Sequence, residues 1–124
     1  MNKICSFKHS DNIISITYLK NIDINDWDNY IHQLCKISFK DEKKIWLIDC
    51  LSISKFDINL ILKKIFFLQK NKKLIDKYIH TSVIIVNQYV MNYISNILPY
   101  IPNSGVLFVT SLTEGENTIK NLLN

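Results

Sequence analysis

Three short, almost wholly apolar runs alternate with helical stretches in this chain, and this alternation constrains the fold more than any other feature. The runs lie at residues 45–49, 82–86 and 106–109, and polar residues bound each of them. Strands that are covered on both faces of a parallel sheet have this composition. Parallel neighbours cannot be joined by a tight turn, so a helix is expected in each connection.

Two more strands are predicted before these runs. Apolar alternation marks residues 4–8 and 13–18, and the polar residues 9–12 between them suit the turn of a β-hairpin. The sequence therefore predicts five strands, of which the first two are antiparallel.

Apolar residues at helical spacing predict four helices. Asp23 or Asn25 is the predicted N-cap of the first helix, and Asp57 that of the second. Pro99 ends the third helix, and a capping box of Thr113 and Glu116 begins the fourth. The core stripe of the second helix is predicted to be Ile58, Ile61, Leu62, Ile65 and Leu68.

The predicted element order is β-β-α-β-α-β-α-β-α, in the α/β class. After the hairpin, each strand-helix-strand step should be a right-handed crossover, which gives a mixed five-stranded sheet with helices packed on it. Since no linker, repeat or low-complexity segment interrupts the pattern, one domain over residues 1–124 is expected.

Several classes of protein are excluded by charge and composition. The formal net charge of +4 comes from lysine alone, and without arginine we expect no nucleic-acid partner. The longest stretch without charged residues, from Tyr78 to Thr113, carries polar residues and prolines at regular intervals, so no transmembrane segment is expected. Lys8 and His9 stand where a secretory signal needs apolar residues, which favours a cytoplasmic protein.

No metal or cofactor site is predicted. Cys5, Cys35 and Cys50 are widely spaced and odd in number, which argues against both a disulfide framework and a structural zinc site. A phosphate-binding loop needs clustered glycines, but the chain has only Gly105 and Gly115.

No catalytic residue is predicted either. Asp49 and Cys50 end a predicted parallel strand, a place where α/β sheets often bind ligands, so Cys50 is conceivable as a nucleophile. However, the three histidines stand singly elsewhere in the sequence, and a cysteine after an apolar strand is more often a packing residue. We therefore expect the protein not to be an enzyme.

The segment from Asp49 to Asp57 resembles the signature of STAS domains, the fold of anti-sigma-factor antagonists. In that family an apolar strand ends in Asp, and eight residues later a second Asp opens a helix, as Asp-Ser-Ser-Gly-Leu or close to it. Phe56 matches the apolar residue before the second Asp. Where the family has its Ser-Ser-Gly, this chain has Ile58, Asn59 and Leu60, so the usual phosphoacceptor serine is missing.

The chain is also similar to the SpoIIAA-like group, which lacks that serine as well. Its pattern of a longer second helix followed by an apolar strand matches the segment from Leu68 to Val86. Both resemblances imply the same α/β fold. Ser52 and Ser54 in the preceding loop are the alternative positions for phosphorylation.

The resemblance implies a regulatory or scaffolding module that docks a protein partner through its second helix. Helical geometry predicts that Leu60 and Phe67 face away from the core, with lysines between them. The predicted contact residues are Asp57, Asn59, Leu60, Lys63, Lys64 and Phe67. A basic rim of this kind suits a protein partner with an acidic surface, or a second copy of the chain as a homodimer.

A lipid-binding or other apolar-ligand module is the alternative function. It is implied by the SpoIIAA-like resemblance and by five aromatic residues, Phe66, Phe67, Tyr93, Tyr100 and Phe108. An apolar cavity lined by such residues would favour it, whereas the same residues packed in the core would not.

Overall fold

The computed structural model describes residues 5–10, 12–19, 21, 23–53, 58–97 and 105–123. Its strands are β1 (Cys5–Ser10), β2 (Ile13–Tyr18), β3 (Lys44–Asp49), β4 (Ile79–Ile85) and β5 (Val106–Val109). Its helices are α1 (Ile24–Ser38), α2 (Ile58–Lys70), α3 (Lys72–Tyr78), α4 (Gln88–Ile97) and α5 (Leu112–Leu123).

The five strands form one sheet in the order β1-β2-β3-β4-β5. β1 and β2 are antiparallel, and every later neighbour is parallel, so the predicted mixed α/β sheet is confirmed. The register aligns Ile16 with Ile48, Ile48 with Ile84, and Ile84 with Phe108, which makes an apolar row across four strands.

The two faces of the sheet carry separate cores, because successive side chains of a strand point to opposite faces. In β3, Trp46 and Ile48 belong to the first core, whereas Ile45 and Leu47 belong to the second. The first core includes buried residues of α1, α2, α3 and α4, and the second is completed by Ile119 of α5. Four helices therefore contribute to one face and α5 to the other.

The helices α1 and α4 bury apolar residues that stand at helical spacing. Trp27, Tyr30 and Leu34 of α1 are buried, and so is Ile94 of α4. Asp23 is the N-cap of α1: its Oδ1 accepts from the backbone N of Asp26 at 2.8 Å, and the Asp26 carboxylate accepts in return from the Asp23 backbone N at 3.2 Å.

The predicted start of the last helix is wrong by two residues. Instead of Thr113 pairing with Glu116, the Ser111 hydroxyl accepts from the backbone N of Glu114 at 3.1 Å, and the helix begins at Leu112. The sequence contains the capping-box spacing twice, once from Ser111 and once from Thr113.

The predicted second helix is followed by a further helix, α3, which the periodicity did not separate. Asn71 lies between the two, and its side chain Nδ2 donates to the carbonyl of Phe67 at 3.0 Å. α3 buries Ile75 and runs directly into β4, which begins at Ile79, three residues before the predicted strand.

A buried lysine holds the end of α1 against the sheet. Lys44 is only 3% exposed, and its ammonium donates to the carbonyls of Ser38, Lys40 and Glu42. Cations are favourable at a helix C-terminus, where carbonyl groups lack helical partners. The Ser38 hydroxyl also accepts from Trp46 Nε1 at 2.9 Å, so α1 and β3 are joined by two side chains of the strand.

Candidate functional site

The candidate site lies where β3 ends and α2 faces the sheet. The Cys50 backbone N donates to the carbonyl of Ile85 at 2.9 Å, which extends the β3–β4 ladder by one residue. The Asp49 carboxylate accepts from the Leu51 backbone N at 3.0 Å, and the Ile53 backbone N donates to the Cys50 carbonyl at 3.1 Å. These bonds hold Asp49 and Cys50 in place as the chain leaves the sheet.

The thiol of Cys50 is half-buried and packs against the first core. Burial raises its pKa to about 12; the charge of Lys64 lowers that pKa and the charge of Asp49 raises it, both less than burial does. Because the thiolate is the reactive form, a thiol with this pKa is a poor nucleophile near neutral pH. This environment agrees with the packing role expected for Cys50.

The charge that affects the pKa of this thiol from α2 is that of Lys64. Its side chain is half-buried, and burial lowers its pKa to about 8, with the neighbouring Cys50 raising the value slightly. The sequence had placed Lys64 on the outer rim of α2. In the structure its side chain is half-buried instead.

The expectation that Leu60 and Phe67 face away from the core is also wrong. Both side chains are half-buried and pack against the first core. The ring of Phe67 meets the ring of Trp27 edge to face, with centroids 5.9 Å apart. This contact attaches α2 to α1.

Lys63 strengthens the same attachment. Its Nζ lies 2.9 Å from the Oδ1 of Asp28 and 5.7 Å from the centroid of the Trp27 ring. The long alkyl stem of a lysine can cover apolar surface while its ammonium reaches a carboxylate. Lys63 therefore links two helices.

The outer face of α2 carries two apolar side chains other than the predicted pair Leu60 and Phe67. Leu62 is 40% exposed and Phe66 is 63% exposed, and they are one helical turn apart. Leu62 had been predicted to lie in the core, so this prediction is wrong as well. The i, i+4 spacing of these two apolar residues is the sequence signal that could have revealed the pair. They lie on the same side of the helix as Asn59, and Asn59 is exposed.

Several predicted residues lie outside the described part of the chain. Ser54 and Asp57 belong to this group, and the side chains of Ile58, Ile61 and Ile65 are likewise not described. Ser52 is described and is exposed in the loop after β3. The proposed roles of Ser52, Ser54 and Asp57 stay predictions.

The remaining reactive side chains are distributed over the molecule. His9, His32 and His80 are exposed on β1, α1 and β4 respectively. Cys35 is a half-buried free thiol on α1, and burial raises its pKa to about 11. Among the described residues, His, Cys, Asp and Glu form no group of three or more that could hold a metal ion.

The aromatic residues that suggested an apolar ligand divide between surface and core. Phe66 and Tyr93 are exposed, whereas Phe67 and Phe108 pack against the first core. Tyr100 lies outside the described residues. No helix within the described ranges is both long and apolar enough to span a bilayer.

The fold is similar to that of a solved structure. This is an uncharacterized protein of the DUF3478 family from Shewanella loihica, described as having a SpoIIAA-like fold. The two chains superpose with a TM-score of 0.61 at 10% sequence identity, over 92% of this chain and 90% of the other. No protein-family model matches the chain, and no curated protein matches it in sequence. The SpoIIAA-like fold expected from the sequence is thereby confirmed.

Proposed function

We propose that this SpoIIAA-like chain is a non-enzymatic regulatory or scaffolding module of the cytoplasm that docks a protein partner through the outer face of α2. The observation that carries the proposal is the exposed pair Leu62 and Phe66, one turn apart on that helix. Single exposed apolar residues are normal, but two large ones side by side provide the apolar centre that a protein interface needs.

The surroundings of the pair favour a partner with acidic character. Asn59 and Gln69 are exposed on the same helix, and Lys70 and Lys73 follow toward α3. Neither lysine forms an ion pair within the described part of the chain. A partner that offers an apolar groove with carboxylates at one end would match both the anchors and the charges.

The contact residues expected from the sequence take two roles in this proposal. Asn59 stays in the contact surface. Leu60, Lys63 and Phe67 hold α2 on α1 and the first core, so that Leu62 and Phe66 are presented outward, and Lys64 is half-buried. We retain Asp57 as a contact and Ser52 and Ser54 as phosphorylation sites, each on the sequence argument alone.

The chemistry at the end of β3 supports a non-enzymatic role. Burial keeps the Cys50 thiol protonated, and the Asp49 carboxylate is engaged by the backbone of the following turn.

A charge substitution on the outer face of α2 tests the proposal. Wild type, Phe66→Asp and Leu123→Asp are immobilised and used to capture proteins from the native source; Leu123 is the matched control, since it is 59% exposed on α5. We expect a protein retained by wild type and by Leu123→Asp but lost with Phe66→Asp. The purified partner should then form a complex of defined stoichiometry with wild type and bind Phe66→Asp at least ~10-fold more weakly.

Equal binding of the purified partner to wild type and Phe66→Asp would contradict docking through this face. Circular dichroism of each variant serves as the folding control, because exposed side chains should be replaceable without loss of structure.

A further inference from the structure

One continuous third of the chain contains no charged residue. All 15 Lys+Arg and all 11 Asp+Glu residues lie outside the stretch from Tyr78 to Thr113. This stretch forms β4, α4 and β5. The structure brings these elements together, because β5 pairs with β4 and α4 packs Ile94 against the first core.

The outer face of α4 is neutral and aromatic. Tyr89 is 72% exposed and Tyr93 is 43% exposed, again one turn apart. The other exposed side chains of this face are amides and a hydroxyl: Gln88, Asn92, Ser95 and Asn96. The inner face is apolar, with Ile94 buried and Val90 and Met91 half-buried.

Three of the polar side chains of this face, Gln88, Asn92 and Ser95, bond within the helix. Gln88 Nε2 donates to Asn92 Oδ1 at 2.8 Å, and the Ser95 hydroxyl donates to the carbonyl of Met91 at 2.9 Å. These bonds lower the cost of covering the polar groups. Tyr89 and Tyr93 provide the aromatic contact area of this face.

Such a face has the composition of an interface core. Charged residues are depleted and aromatic residues enriched at protein interfaces, and tyrosine provides a large, rigid contact with few rotatable bonds. A helix face exposed only to water would more commonly carry Lys and Glu. The helix α3 has this charged character, with four charged residues among seven.

We infer that the outer face of α4 is a self-association surface, and that a second copy of this chain covers it across a two-fold axis. In such a dimer the same residues meet each other, so Tyr89 and Tyr93 of one copy face those of its partner. A neutral surface meets its copy without repulsion. The lysines of α2 and α3, in a chain of net charge +4, would oppose pairing through that side.

The outer face of α4 is small, so a weak dimer is expected. A ten-residue helix is about 15 Å long, so the buried area falls at the lower end of protein interfaces. We therefore expect a reversible dimer with a dissociation constant on the order of 10 µM.

Sedimentation equilibrium of the purified full chain, from about 1 to 500 µM protein, tests this inference. Wild type should change from monomer to dimer over this range. Tyr89→Lys should weaken the dimer at least ~10-fold, because it places two like charges at the axis. Leu123→Lys adds the same charge on α5 and should leave the dissociation constant within about twofold. Matching melting temperatures would show that each variant is folded.

Salt dependence gives a second readout. Raising NaCl from about 50 to 500 mM should leave the dimer unchanged or strengthen it, since salt screens the repulsion between two positively charged chains.

A wild type that stays monomeric up to about 500 µM, a dimer insensitive to Tyr89→Lys, or a dimer that dissociates with salt would overturn the inference. A dimer abolished by Phe66→Lys but not by Tyr89→Lys would place self-association on α2 and would likewise overturn it. Docking of a different protein through α2 does not depend on any of these results.

Discussion

At the scale of single residues, Lys64 and Cys50 form a pair of titratable groups that burial drives toward their neutral forms. The pKa of the amine is lowered to about 8, and the pKa of the thiol is raised to about 12. Desolvation disfavours whichever form is charged, so it shifts an amine and a thiol in opposite directions. A charged Lys64 is thus tolerated near neutral pH at some cost to stability.

Replacement of Lys64 by Met should therefore stabilise the protein near pH 7, and this advantage should shrink as the pH rises. The folded-state pKa of about 8 lies below the ordinary 10.5, so above about pH 8 the unfolded wild type holds more protons than the folded state. Wild type then gains about 1 kcal/mol of unfolding free energy from this group between about pH 7 and pH 9. The thiol of Cys50 has the opposite effect on the unfolding free energy, but only at a pH above its ordinary pKa of 9.0.

Urea unfolding of wild type and Lys64→Met at about pH 7 and 9 measures this effect. The matched control is Lys70→Met, since Lys70 is exposed at the end of the same helix. The comparison of the two variants separates the effect of the buried amine from the loss of one charge. An advantage of Lys64→Met that is the same at about pH 7 and 9 would mean that burial does not lower the pKa of this amine.

At the scale of elements, the rotation of α2 about its axis decides which residues meet the core. Eight of its thirteen residues are apolar, Ile58, Leu60, Ile61, Leu62, Ile65, Phe66, Phe67 and Leu68. A helix that is apolar on most sides can bury an apolar face in more than one rotation about its axis. The contacts of Lys63 and Phe67 with α1 select the rotation that leaves Leu62 and Phe66 outside.

The neighbouring residues Phe66 and Phe67 offer a direct test of this rotation. Phe67→Ala should cost about 3 kcal/mol of unfolding free energy, because it leaves a space beside Trp27 in the first core. Phe66→Ala should change the stability by no more than about 0.5 kcal/mol, because that ring is mostly in solvent. Denaturant midpoints of the two variants give the comparison, and equal costs would mean that α2 is rotated differently.

At the scale of the whole molecule, the second core depends on the close approach of α5 to the sheet. A Cβ atom on Gly115 would lie 3.3 Å from the Cδ1 atoms of Ile85 and Leu47. The glycine lets the helix backbone come close to β3 and β4. Ile119, one turn later, then completes the second core.

Gly115→Leu should consequently lower the unfolding free energy by about 3 kcal/mol, since a large side chain cannot fit between α5 and the sheet without displacing the helix. Glu116→Leu places the same side chain on the next residue, which is exposed, and should stay within about 0.5 kcal/mol of wild type. Thermal unfolding of both variants distinguishes the two positions. Similar losses in both would contradict the close packing at Gly115.

From the sequence alone, the order of the strands and most helices could be predicted, together with the mixed sheet and the SpoIIAA-like fold. Strand runs such as residues 45–49 and caps such as Asp23 are properties of a few neighbouring residues, so their physical cause is present in the sequence. The packing role of Cys50 could be predicted in the same way, because an apolar strand leads into it.

Only the tertiary structure decided the rotation of α2 and the surface it presents. The residues that select this rotation, Trp27 and Asp28, lie on another helix and far away in the sequence. The same holds for the burial that lowers the pKa of Lys64 and for the exposure of Tyr89 on α4. Local periodicity records which faces of a helix are apolar, but which of them is buried depends on the shape and charge of the elements that pack against it.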